Sequence, residues 1–202
     1  MARPQAPEYE QRREAIVERA AELFARLGFR GASVSDLATA CETSKSLIYH
    51  YYPSKEDVLY AVMASHIDQL LEDVSIATSS GAPDEAMLRE LITAFMRHYV
   101  NAGNRQKVLL NELANLPPDK RAIIVGKQRR IVTAVQELLQ RLDPALAADP
   151  VQARVKVMLL FGMINWTHTW FDAAGPISPQ ALSAMVADQV LAGLGRASPP
   201  SA

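Results

Sequence analysis

Apolar residues return along this chain at intervals of three and four from Ile16 to Leu194, and no stretch shows the two-residue alternation of a strand. That rhythm, with its punctuation, predicts an all-α protein of nine helices. The first runs from Glu8 to Leu27 on Ile16, Ala20, Leu23, Phe24 and Leu27, with Gly28 as its C-cap. Ser33 and Asp36 form a capping box for a second helix, whose small apolar face is Leu37, Ala38 and Cys41. It stops near Cys41-Glu42-Thr43, and Ser44 caps a third in which Ile48 and Tyr52, four apart, point inward. Pro53 ends that helix, and Ser54 with Asp57 opens a fourth that reaches about Thr78.

Ser79-Ser80-Gly81-Ala82-Pro83 is the clearest break. A fifth helix follows from Asp84 to about Ala102, a sixth from Asn104 to Leu116, and a seventh from Asp119 to Leu142. The eighth starts at a cap on Asp149 with Pro150 in its first position and reaches about Ala174. Ser178 and Pro179 repeat that start for a ninth, ending near Leu194. Residues 1 to 7 read as a mobile arm and Ser198 to Ala202 as a disordered tail.

The third helix carries the chemistry. With Ile48 and Tyr52 turned inward, Lys45, Ser46, Tyr49 and His50 point elsewhere. A short helix that opens with donors and cations, held at a fixed angle by a partner helix, is suited to the DNA major groove. The order SVSDLATAC-ETS-KSLIYHYYPSKEDVL resembles the helix-turn-helix of the TetR family of bacterial transcriptional regulators, and residues 8 to 60 carry the likeness. The resemblance implies a three-helix DNA-binding domain over residues 1–54 and a six-helix ligand-binding and dimerisation domain over 55–202. It also implies that Thr43, Ser44, Lys45 and Ser46 meet phosphate and base edges, that Tyr49, His50 and Tyr51 contact DNA, and that Lys55 grips a phosphate. Two positions depart from the family pattern: Glu42 stands where Gly is common in the turn, and Ser46 where Gly is frequent. A positive φ at Glu42 would cost roughly 1 kcal/mol. The bland alternative is a helical corner with solvated polar groups, in an interaction or scaffold protein that does not read DNA.

Charge changes this picture little. Residues 1–60 hold 8 Lys+Arg against 9 Asp+Glu, and 61–202 hold 13 of each, where a DNA-binding domain is more often basic. The cations Arg3, Lys45 and Lys55 would lie on the DNA side, while Glu8, Glu10, Glu14, Glu18 and Glu22 belong to the first helix. At 49% hydrophobic and 21% charged residues the composition is that of a soluble globular protein. One cysteine rules out an internal disulfide, the first residues show no signal peptide, and no apolar window reaches the roughly 18 residues of a membrane span. A cytoplasmic protein is expected.

The eighth helix is the second informative stretch. Val155 to Phe171 contains a single formal charge, Lys156, so the helix is apolar on nearly all sides and buried on more than one. Either it is a central core helix, or one side lines a cavity and the other meets a second subunit. TetR-type proteins dimerise through their last two long helices, so the resemblance implies a homodimer, with Met163 and Trp170 as candidate interface residues. Gly162 in mid-helix costs roughly 1 kcal/mol against Ala.

Met96, Tyr99, Leu110, Leu113, Met158, Phe161, Asn165, Trp166 and Phe171 would line a pocket for an elongated apolar or aryl group. Glu112, in an apolar stretch, could bond the ligand or face solvent. The run Phe161 to Trp166 is also similar to TetR-type regulators whose effectors are acyl- or aryl-coenzyme A thioesters. Such an effector needs cations for its phosphates, and Arg89, Arg97, Arg105, Lys107, Arg129 and Arg130 are the candidates. The alternatives are ordinary solvated charges and a hydrophobic drug or lipid ligand, as in efflux regulators.

No catalytic or metal-ligating group stands out. His50, His66, His98 and His168 fall on separate segments without metal spacing, and there is no Gly-rich phosphate loop. Cys41 reads as a small packing residue. Neither enzyme activity nor a cofactor is expected; the expected partners are operator DNA, a second copy and a small effector, with no membrane.

Overall fold

The computed structural model describes residues 7–101 and 103–195. Residues 1–6 of the expected arm, Arg3 among them, and the expected tail Ser198–Ala202 lie outside the described residues. All regular structure among the described residues is helical: α1 (Pro7–Gly31), α2 (Val34–Ala40), α3 (Lys45–Tyr51), α4 (Lys55–Ser79), α5 (Asp84–Asn101), α6 (Gly103–Asn111), α7 (Pro118–Leu142), α8 (Pro144–Ala148), α9 (Pro150–Asn165) and α10 (Pro179–Ala192). Short 3-10 turns follow α6 at Leu113–Asn115 and α9 at Trp166–Thr169. None of these helices is long and apolar enough to cross a membrane.

The all-α reading holds, and several boundaries differ from those expected. α1 breaks at Gly28 (φ 73°), where its C-cap is expected, and a further turn reaches Gly31; the sixth helix, expected to reach Leu116, ends at Asn111 and gives way to a 3-10 turn. The short α8 was not foreseen; Asp143 caps it by accepting from the Ala145 amide at 3.1 Å, and Pro144 sits at its first position. The expected helix from Asp149 to Ala174 stops at Asn165. Beyond it, Thr167 Oγ1 donates to the Ile164 carbonyl and Thr169 Oγ1 to the Trp166 carbonyl, each at 2.7 Å, and His168 Nδ1 lies 2.6 Å from the Asn165 carbonyl. Three consecutive side chains competing for backbone acceptors tighten the chain into a 3-10 turn.

The described residues form two compact units, one taking everything up to Asp68 together with 103–126, the other taking 69–101 and 127–195. The expected border at residue 54 falls at the start of α4, where Ser54 and Asp57 make the predicted cap; the compact units divide the chain elsewhere.

In the first unit α1 packs on α2 and α6, and α2 on α3. Its core is Ile16, Val17, Ala20, Leu23, Phe24, Leu37, Ile48, Val58, Leu59 and Val62, all buried, with Phe24 and Phe29 edge to face at 5.5 Å. Burying each of the larger side chains among these contributes about 1.5–3 kcal/mol. α6 brings a buried arginine into this unit: Arg105 donates to Glu14 at 2.5 Å, to Glu18 at 2.6 Å and to Ser65 at 3.2 Å. A buried guanidinium requires such partners, so these bonds fix where α6 lies on α1. Beside it His66 Nε2 is 2.7 Å from Gln106 Oε1.

In the second unit α5 packs on α10, α9 on α10 and α8 on α9. Leu88, Ile92, Phe95 and Met96 of α5, Val135 and Leu138 of α7, and Val157, Leu160 and Ile164 of α9 are buried. Phe95 stacks on Tyr99 at 6.5 Å and leans on Phe161 at 6.0 Å. Ion pairs Arg141–Asp84 (2.9 Å) and Arg89–Asp188 (2.7 Å) close its edges.

Candidate nucleic-acid interface and regulatory region

The two short helices form as their caps dictate. Ser33 Oγ accepts the Asp36 amide at 3.1 Å while Asp36 Oδ2 accepts the Ser33 amide at 2.8 Å. Hydrogen bonds from the Ser33 hydroxyl and then its amide hold the Asp36 carboxyl below its usual range. Glu42 carries the turn at φ 51°, the left-handed geometry that glycine adopts without strain. Its amide donates to Thr39 and that of Thr43 to Ala38, so the turn closes despite the side chain. Ser44 Oγ then accepts the Leu47 amide at 3.2 Å and starts α3.

α3 is clamped on one side and open on the other. Ile48 and Tyr52 are buried, and Tyr52 Oη donates to the Arg13 carbonyl at 3.4 Å under the Arg13 guanidinium, 5.5 Å from the ring centre. Burial pushes the Tyr52 phenol up, partly countered by Arg13, so it stays a neutral donor. Ser44, Lys45, Ser46, Tyr49 and His50 form the exposed side, with Tyr49 49% accessible. Thr43 and Tyr51 are half-buried at its two ends.

Lys55 is the exception among the expected DNA contacts. Its ammonium already donates to the carbonyls of Phe29 and Ala32, each at 2.8 Å. The reason is local: α1 breaks at Gly28 and leaves carbonyls in need of donors, and α4 starts beside them. Cys41 is half-buried at the end of α2. Burial pushes its thiol up, only partly offset by Arg19, which keeps it protonated and unreactive.

The expected effector residues divide between the two units. Met96, Tyr99 and Phe161 are buried in the second unit, and Asn165 and Phe171 half-buried there. Met158 and Trp166 are exposed, at 52% and 64%, and belong to the outer face of α9 and its 3-10 turn instead. Leu110, Glu112 and Leu113 lie in the first unit. There Glu112 accepts from Asn115 at 2.7 Å, and Asn115 accepts from Arg30 at 3.2 Å, a polar chain set against the break at Gly28.

The candidate phosphate cations also separate. Arg105 is withdrawn by its buried bonds to Glu14 and Glu18. Arg89 is paired with Glu85 and Asp188, and Arg97 with Asp73. Lys107, Arg129 and Arg130 are exposed.

An apolar row without a partner among the described residues runs along the second unit. Val155, Met158, Leu159 and Met163 of α9 and Met185 of α10 are exposed, with Trp170 beyond the 3-10 turn. A groove of about 330 Å³ between α9 and α10 is lined by Leu159, Leu160, Met163, Val190 and Leu194, with Lys156 at its edge. Nothing among the described residues comes within 4 Å of a Cβ built at Gly162.

The sequence profile of the bacterial regulatory proteins of the tetR family matches residues 16–62, and that of the tetracyclin repressor-like C-terminal domain matches 81–194. A TetR-family transcriptional regulator from Bordetella parapertussis has the same fold with TM-score 0.86 and 39% identity, over 92% of this chain and 98% of that one. The structure of AibR in complex with isovaleryl coenzyme A and operator DNA superposes with TM-score 0.75 and 27% identity, over 91% and 97% of the two chains. The transcriptional repressor KstR2 of Rhodococcus jostii is 24% identical over 91% of each chain. With a helix-turn-helix clamped by Ile48 and Tyr52 and a helical C-terminal part matched over residues 81–194, this chain belongs to the TetR family of DNA-binding bacterial transcriptional regulators.

Proposed function

We propose that the chain is a homodimeric, cytoplasmic repressor that reads a near-palindromic operator through α3 of each copy and is released by a small effector. The observation that carries the reading is the exposed side of α3: Ser44, Lys45, Ser46, Tyr49 and His50 stand open while Ile48 and Tyr52 fix the helix from behind. Two-fold symmetry then presents one such helix to each half-site. The uncovered row Leu159, Met163, Met185 and Trp170 supplies the contact with the second copy. Gel-shift of the purified protein on its own upstream region tests this reading, and a protein that shifts no duplex at low salt refutes it.

For the effector we propose an acyl- or aryl-coenzyme A thioester. The likeness to AibR supports this class, as do the aromatic contacts of Phe95, Tyr99 and Phe161 in an otherwise aliphatic interior. Lys107, Arg129 and Arg130 are then the candidates for its phosphates. A panel of thioesters, their free acids and cationic dyes, scored for operator release, decides the point. Release by free acids or dyes with thioesters inert removes the coenzyme A class and leaves the regulator in place.

A further inference from the structure

We propose that Tyr9 is a positioning residue for DNA reading: from the first turn of α1 it braces His50 and Tyr51 at the far end of α3. This rests on α3 being the reading helix. The Tyr9 ring lies 4.7 Å from that of Tyr51, tilted by 42°, and 6.4 Å from that of His50, edge on at 84°. His50 and Tyr51 complete the triangle at 5.3 Å and 80°.

The brace answers a mechanical need. α3 is seven residues long, ends at Tyr52 in an extended conformation (φ −137°, ψ 107°), and is followed by Pro53. Its last turn therefore has no helix beyond to stiffen it, and its buried anchors Ile48 and Tyr52 both lie on the side away from His50. Tyr51 stands between two open grooves, one of about 420 Å³ lined by Glu10, Arg13, Tyr52 and Tyr60, the other of about 410 Å³ lined by Arg12, Arg19, Cys41 and Leu47. With space on both sides, Tyr9 and His50 are the rings that meet it. The neighbours of Tyr9 on α1 are otherwise engaged, Glu8 with Arg12 and Glu10 with Arg13, which leaves the tyrosine as the first turn's contribution to α3.

Fixing His50 and Tyr51 before DNA arrives removes the rotamer entropy that binding would otherwise cost. Loss of one immobilised side chain's pre-ordering weakens binding by about three- to tenfold.

The test uses the full-length protein, the duplex that the wild type selects from a random pool, and a scrambled duplex of equal length. Tyr9→Ala should lose about three- to tenfold on the selected duplex and nothing on the scrambled one, while Tyr9→Phe keeps wild-type binding because the ring is retained. Tyr9→Ala combined with Tyr51→Ala should lose less than the product of the two single losses, since the two rings share the 4.7 Å contact. The salt slope should not move, because no cation is lost. Wild-type binding by Tyr9→Ala overturns the proposal, and so does a double variant as weak as the product of the single losses. Equal losses in Tyr9→Phe and Tyr9→Ala overturn it in favour of a direct hydroxyl contact. Equal losses on both duplexes with a lowered melting temperature overturn it in favour of a folding defect. Lys45→Ala, at the opposite end of α3, separates the two readings. If it loses the selected duplex while Tyr9→Ala does not, the brace alone fails; if it too binds as wild type, so does the assignment of α3.

Discussion

Lys55 donates to the carbonyl of Phe29 at 2.8 Å while its ammonium stands 4.1 Å from the centre of the same residue's ring. One cation thus closes the broken end of α1 from the first turn of α4, through a charged hydrogen bond and a cation–π contact together. Contacts of this kind contribute about 1–3 kcal/mol. Lys55→Met, which keeps the stem and loses the charge, should lower the melting temperature by about 2–10 °C. It should leave the salt slope of operator binding short of the one-phosphate decrease that a DNA contact would give. Thermal melting and a salt titration of the same variant check both halves.

Lys45→Ala and Tyr49→Ala remove the first cation and the most exposed aromatic of α3 without touching its buried side. Each should weaken operator binding by about 1–3 kcal/mol, roughly five- to 150-fold, with Lys45→Ala also reducing the salt slope. Operator binding at wild-type strength in both variants would mean that another element reads the DNA.

Asp57 gives the pH dependence. Burial pushes its carboxyl up, but bonds from Lys120 and Ser54 outweigh that and hold it below its usual range. A depressed carboxyl stabilises the fold above its unfolded value of about 3.9, and that contribution fades as pH falls through the lower folded value. Acid unfolding of the wild type should therefore steepen below about pH 4. Asp57→Asn should be less stable at neutral pH and show a shallower acid limb; identical limbs would place the acid sensitivity elsewhere.

Leu159→Arg or Met163→Arg puts a charge into the uncovered row of α9. Each should convert a dimer into a 22.2 kDa species in light scattering and abolish operator binding with it. A wild type that already runs at one chain mass at micromolar concentration removes this arrangement.

The helices and the helix-turn-helix were legible because their signals are local. Ser33, Asp36, Ser44, Ser54 and Asp57 make the bonds their spacing predicts, and Ile48 and Tyr52 face inward as their four-residue interval requires. The strained turn at Glu42 was likewise foreseeable from the residue alone. What spacing could not reveal depends on residues far apart in the chain. Lys55 looked like a free cation until the break at Gly28 supplied carbonyls for it, and Arg105 looked like a surface charge until α6 placed it on Glu14 and Glu18. The early end of α9 lay within reach, since Thr167, His168 and Thr169 in succession are poor company for a helix. The continuous apolar run masked them. Met158 and Trp166 misled for a related reason: an apolar residue on an all-apolar helix does not announce which side it is on.

The placing of Arg105 bears on how such a regulator could be rebuilt. A reading head grafted from this chain by cutting at residue 54 would arrive with Glu14 and Glu18 stripped of their guanidinium and with α1 bare along the flank that α6 covers. The compact unit is discontinuous, taking residues 103–126 along with those up to Asp68. A hybrid of this chain that keeps residues 103–126 with the head should therefore melt at a higher temperature than one cut at residue 54.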